Sequence, residues 1–146
     1  SYNIPPDPSP ELQTALKWID GFNCWDIDQI TSVLSNDYTH HILPKTLGVK
    51  SRNKEEFREY FTGILPMFQD FKVTIHEIVE GAGKLVIHAS STATSTTGYP
   101  YANEYNLILH LVSQGEGLPK ISMIKEFVDS KFAVEFFVGE RKRQAE

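Results

Sequence analysis

The chain has 146 residues, enough for one compact domain with a sizeable core and too few for two ordinary ones. Nineteen acidic and 14 basic side chains leave a formal charge of −5, which excludes a general nucleic-acid-binding surface. A single cysteine excludes an internal disulfide, and no stretch is long and apolar enough to span a bilayer. No stretch reads as a secretory signal, so an intracellular, cytoplasmic setting is the default. Cys24 lies between Asn23 and Trp25 and reads as a small buried apolar residue. No Cys/His cluster has zinc spacing, so no metal site is expected.

Residues 1–8 read as an extended arm, with Pro5, Pro6 and Pro8. A single domain is expected over 9–138 and a solvated tail over 139–146, the tail holding the basic run Arg141-Lys142-Arg143. Ser9 caps a first helix with Pro10 at its first position, and Leu12, Ala15, Leu16, Ile19 and Phe22 recur at helical spacing. Asp26 caps a second, short helix with Ile27, Ile30, Val33 and Leu34 as its stripe, ended by Asn36-Asp37. A short strand over 38–43 stops at Pro44. Asn53 caps a third helix carrying Phe57, Tyr60, Phe61 and Ile64, and Pro66 stops it.

After Asp70 the apolar period changes from helical to two. Phe71, Val73, Ile75 and Val79 alternate through one strand, which ends at Gly81-Ala82-Gly83. A second opens at Leu85 and continues through the Ser/Thr-rich run 90–97. A third runs from about Tyr101 to Val112, and a fourth begins at Ile121. Phe132, Phe136 and Phe137 give a terminal helix an aromatic side, with Asp129 placed to cap it. Helices followed by long strands and tight turns predict an α+β fold, its helices on one face of a curved, mostly antiparallel sheet. Such a sheet leaves a cone, a natural small-molecule cavity. Met123 and Phe127 make the other face apolar, which predicts a homodimer through the outer sheet face.

The last strand holds the least expected residue. Glu126 falls on one face with Ile124 and Val128, and a carboxylate on a buried apolar face must either stay neutral or find a partner. On the preceding strand, Tyr101, Asn103 and Tyr105 share a face with Leu107 and Leu109. If that face lines the cone, two phenols and an amide point inward near Glu126. The structural alternative is a satisfied core acid and core aromatics. His40 and His41 point to opposite faces, so only one reaches the cavity. His88 shares parity with Val86 and Ser90 and is a further inward candidate, while His110 belongs to the outer face. Arg52, before the third helix, could hold a substrate carboxylate or carbonyl at the rim. Trp18, Trp25, Tyr60, Phe61 and Phe68 are core or cavity wall, Tyr60 among them as a substrate contact.

The layout and four local sequences, THHILPKTLG (39–48), VIHASSTATSTTG (86–98), YPYANEYNLILH (99–110) and IKEFVDSKF (124–132), resemble the SnoaL-like branch of the nuclear transport factor 2-like superfamily. Within it the chain is most similar to small fungal proteins of natural-product pathways. The resemblance implies a conical pocket, dimerisation through the sheet, and cofactor-independent isomerisation or cyclisation of polyketide, meroterpenoid or alkaloid intermediates. The related limonene epoxide hydrolases need an Arg and an Asp that residues 88–92 lack, which counts against that reaction. An alkaloid semipinacolase of the family uses two Tyr four apart and a Glu on the next strand, a pattern Tyr101, Tyr105 and Glu126 fit. Where that enzyme has an Arg, this chain offers His40 or His41, and His41 is the nearer in position. The expectation is therefore catalysis by Glu126, Tyr105, Tyr101 and His41, with His88, Arg52, Asn103, Tyr60 and His40 contacting a hydrophobic substrate. The rival is a binding or interaction module that holds a ligand without reacting.

Overall fold

A computed structural model describes residues 2–146. Helix α1 (Pro10–Asn23) starts where Ser9 Oγ accepts from the Leu12 amide, with Pro10 in its first turn. It buries Leu12, Ala15, Trp18 and Ile19. Helix α2 (Ile27–Ser32) is capped by Asp26, whose Oδ1 accepts from the Asp28 and Gln29 amides. The two helices nearly touch at Gly21, where an added Cβ would stand 2.9 Å from the Ile30 amide nitrogen. A side chain there would force them apart, so this glycine serves packing at the cost of some helix propensity.

Strand β1 (Leu34–Leu43) follows α2 directly and is longer than expected. Val33 ends the helix as its cap and Leu34 already belongs to the sheet. Asn36 and Asp37 lie in an irregularity of the strand, where the register against its neighbour shifts between Leu34 and Thr39. Strand β2 (Arg52–Asn53) leads into α3 (Lys54–Ile64), which starts with a capping box. Asn53 Oδ1 accepts from the Glu56 amide, and Glu56 Oε1 accepts from the Asn53 amide. A turn of 3₁₀ helix over Leu65–Met67 then hands the chain to the sheet.

Strands β3 (Phe68–Gly81), β4 (Lys84–Ser95), β5 (Pro100–Val112) and β6 (Lys120–Val128) complete a six-stranded sheet in the order β2-β1-β6-β5-β4-β3. Among the described strands only β1 and β6 pair in parallel. The fold is α+β, with a curved, unclosed sheet around the N-terminal helices. Two register shifts mark β3, one at Asp70, whose φ is +56°, and one between Ile75 and Glu77. The second inverts the alternation, so Ile78 packs on the core and Val79, expected to face inward, is 56% exposed. In β4 the buried row is Leu85, Ile87, Ala89, Ser91, Ala93 and Ser95.

Helix α4 (Ser130–Gln144) is capped by Asp129, which accepts from the Phe132 amide. It runs through residues 139–144, where a tail was expected. Glu140 explains the difference. It has no exposed surface and accepts from Ser95 Oγ, Thr97 Oγ1 and the Arg143 guanidinium. Arg143 also lies over the Tyr99 ring. The solvated reading of the basic run therefore fails at Arg143. Cys24, expected to be buried, is exposed: it follows the last turn of α1, next to Trp25 at φ +54°.

Candidate functional site

The concave face of the sheet, α1, α3 and α4 enclose a cavity of about 660 Å³. That is within the range of small-molecule sites. Aromatic rings make a large part of its wall: Trp18, Phe22, Trp25, Phe57, Tyr60 and Phe61 from the helical side, Phe68 and Phe71 from β3, Phe137 from α4. Trp25 is fixed by a bond from Nε1 to the Leu65 carbonyl and by stacking on Phe71 at 4.4 Å. The opposed placement of helices and sheet thus settles Trp18, Trp25, Tyr60, Phe61 and Phe68 as cavity wall.

Two sets of polar groups stand on this greasy lining. The first comes from alternation along β4 and β5. Ser91, Tyr101, Asn103 and Tyr105 all point inward, and Ser91 pairs across the ladder with Asn103. Their side chains form a chain: Ser91 Oγ to Tyr105 Oη at 2.7 Å, Tyr105 Oη to Tyr101 Oη at 3.3 Å, and Asn103 Nδ2 donating to Tyr101 Oη at 3.1 Å. Asn103 Oδ1 accepts from the Asp129 and Glu104 amides, so its amide is oriented from behind. Burial pushes the Tyr101 phenol up, and pushes Tyr105 well above its ordinary value, with the Tyr101 and Glu126 charges adding to the effect. Both are protonated donors at neutral pH.

The second set is Glu126 with His40. Leu107 and Ile42 flank Glu126 on the neighbouring strands. His40 Nε2 lies 3.3 Å from Glu126 Oε1, the ring 4% and the carboxylate 22% exposed. Phe57 meets the His40 ring edge-on at 4.9 Å and Tyr38 stacks at 6.5 Å, which fixes its plane. The carboxylate predicted from alternation therefore does have a partner, and it is a histidine. Tyr60, on α3, is raised by burial and then by the Glu126 charge, against the opposing effect of Arg52. Arg52 lies 3.6 Å over the Tyr60 ring and lines the same cavity.

Two expected residues are elsewhere. His41 lies on the outer face, 3.2 Å from Thr39 Oγ1, and its neighbour across the ladder is Lys125. Burial, with the charges of His40, Lys125 and Lys45, lowers its pKa. The parity of Tyr38, His40 and Ile42, one apolar row, was the signal that favours His40. His88 also faces outward, beside His76 and paired with Glu104. The buried row of β4 is the other one, and its Ser91, which sequence reasoning passed over, bonds the Tyr105 hydroxyl from the sheet. Val134 and Val138 of α4 also line the wall, beside the aromatic side expected of that helix, and Arg141 lines it where a tail had been expected. Asp129 acts as expected, as the α4 cap. Among the described residues no group of three or more His, Cys, Asp or Glu could hold a metal ion. No described helix is long and apolar enough to cross a membrane.

An open α+β cone whose apolar hollow carries a few oriented polar groups defines a class of small-molecule-binding proteins. The chain belongs to the SnoaL-like domain family, whose model matches residues 15–116. Its relatives are fungal natural-product cluster proteins. One, named monooxygenase nsrQ, from Aspergillus novofumigatus, is 30% identical over 94% of this chain and 95% of its own. Another, austinoid biosynthesis cluster protein H from Aspergillus calidoustus, is 28% identical over 85% of this chain and 84% of its own. In fold the chain matches BvnE pinacolase from Penicillium brevicompactum with a TM-score of 0.81, at 23% identity, over 94% of this chain and 97% of that one.

Proposed function

We propose that the protein is a cofactor-independent isomerase or cyclase that rearranges a polycyclic natural-product intermediate by acid–base chemistry. The observation that carries this is the Glu126–His40 pair, set in an apolar cavity that also holds two neutral phenols. Glu126 takes a proton from carbon or oxygen of the substrate, and the adjacent imidazole stabilises the carboxylate or relays the proton onward. Tyr105 or Tyr101 donates to the oxygen on which negative charge grows, as the enolate or alkoxide forms. The Ser91 and Asn103 bonds hold those hydroxyls in place before substrate arrives. His40 takes the role first given to His41, because only His40 reaches the cavity.

Two further readings have support. Relatives carry the name monooxygenase, which would mean oxygen insertion. The same cone could also hold a ligand without reacting. One experiment separates all three. Products of the neighbouring biosynthetic genes are incubated with the protein under air and under argon, with oxygen uptake recorded. An isomer of unchanged mass, formed equally under both gases, supports the proposal. A product heavier by one oxygen atom, formed only under air, supports the monooxygenase reading. Binding with no new product leaves the module.

A further inference from the structure

Arg52 is a cation on the cavity wall with no anionic partner among the described residues. Its guanidinium is held 3.6 Å over the Tyr60 ring, and Nη1 is buried with no acceptor from the protein. Among the described residues no carboxylate makes an ion pair with it. Glu56 and Glu59 share a shallow outer hollow with Arg52, Lys50, Ser51 and Tyr60. Glu56 is committed to the Asn53 amide. Glu126, the acid inside the cavity, has His40 as its partner. A guanidinium stays charged at every pH in which the protein folds, and it cannot turn acceptor. A second donor-only group of the lining, Trp18 Nε1, is also buried without an acceptor. A buried donor without an acceptor is costly, and a charged one more so. The lining is thus short of acceptors, at Arg52 short of negative charge, and otherwise apolar.

We infer that the cavity is built for an acidic polycycle, one that presents an oxyanion to Arg52 while its ring system lies against the aromatic wall. A carboxylate and an ionised enol or phenol carry the same chemistry here, a charge-assisted acceptor that matches the guanidinium fork. Tyr60 is then a positioning residue: its ring fixes the plane in which Arg52 offers its N–H groups. The inference rests on the proposed function only in taking the cavity as the substrate site. It concerns ground-state binding and needs no turnover.

The test is a fluorescence titration of the full chain with two probes of one ring system, anthracene carboxylate and anthracene methanol. The parent should bind the carboxylate at least about tenfold more tightly than the alcohol, the margin of one good hydrogen bond to a charged group. Arg52→Gln should remove that preference and leave alcohol binding within about twofold, and Arg52→Lys should keep part of it. Glu126→Gln should keep the full preference, even where it abolishes turnover. Lys50→Gln controls for charge at the outer hollow and should change nothing. Equal affinity for both probes in the parent, failure of the carboxylate to bind, or a preference that survives Arg52→Gln or is lost with Lys50→Gln, would overturn the inference. None of those results bears on proton transfer by Glu126, whose failure appears only in turnover.

Discussion

Glu126 and His40 approach each other because β1 and β6 run in parallel, with His40 opposite Ile124 and Glu126 opposite Ile42. Their separation of 3.3 Å and the buried ring make one proton-handling unit, so each removal should cost activity. Glu126→Gln keeps the shape and should lower kcat by about 10²–10⁴, as loss of a general base does. His40→Gln should also lower kcat and should change the pH profile, which a purely structural role would leave alone. Tyr105→Phe removes one hydroxyl and should lower kcat with a smaller change in KM, because the lost bond strengthens only as charge develops.

Burial, chiefly, raises the Tyr105 phenol well above its ordinary value of 10.0. A neutral group whose folded value is raised contributes stability in full below its unfolded value, and loses it as pH rises through the folded value. Activity that depends on the hydroxyl should thus show no alkaline loss from Tyr105 until pH passes 10.0. The alkaline limb of kcat between pH 7 and 10, followed in the parent and in Tyr105→Phe, checks this; an early fall absent from Tyr105→Phe would refute it.

At the scale of elements, α4 closes the cavity and Glu140 fastens it to the β4–β5 turn. Burial opposes ionisation of Glu140, yet the bonds from Thr97, Arg143 and Ser95 together outweigh it and hold the carboxyl below its usual 4.5. A depressed carboxyl contributes stability above its unfolded value, and that contribution disappears as pH falls through the folded one. Acid should therefore loosen α4 below about pH 4.5. Glu140→Ala removes the shared acceptor of Arg143, Ser95 and Thr97 and should cost about 1–3 kcal/mol at neutral pH, the range for lost hydrogen bonds to a charged group. Urea unfolding at pH 7 and at acid pH measures both, and the difference between parent and variant should shrink in acid.

The elements also show what could be read from the chain and what could not. The caps Ser9, Asp26, Asn53 and Asp129 were legible because capping is local chemistry. The inward rows of β5 and β6 were legible because both strands are regular about the site, so alternation carries Tyr101, Asn103, Tyr105 and Glu126 to one face. Strand β3 was not, since a bulge after Ile75 exchanges its faces and no residue type announces it. In β4 both rows carry aliphatics, Val86 on one and Leu85 and Ile87 on the other, so His88 was placed inward and Ser91 overlooked. The end of α4 was missed because Glu140 finds its partners on β4 and the turn after it, more than 40 residues earlier in the chain.

For the whole molecule, the outer face of the sheet is unpartnered in one chain. Phe127 is 41% exposed there, between Leu43 and Asn106 on the neighbouring strands, and Val112 is also exposed. We propose that two copies meet on this face in a two-fold dimer, the commonest closed arrangement of soluble oligomers. Phe127→Lys should halve the mass seen by analytical ultracentrifugation and leave the fold intact; a parent already of monomer mass would contradict the proposal.

The cavity claim can be tested with one comparison. Parent and Glu126→Gln are matched for fold by circular dichroism, then mixed in excess with the pathway intermediate, and a single turnover is followed. The account predicts that Glu126→Gln binds the intermediate as the parent does and converts it about 10²–10⁴ times more slowly. Conversion at the parent rate by the folded Gln variant would contradict it.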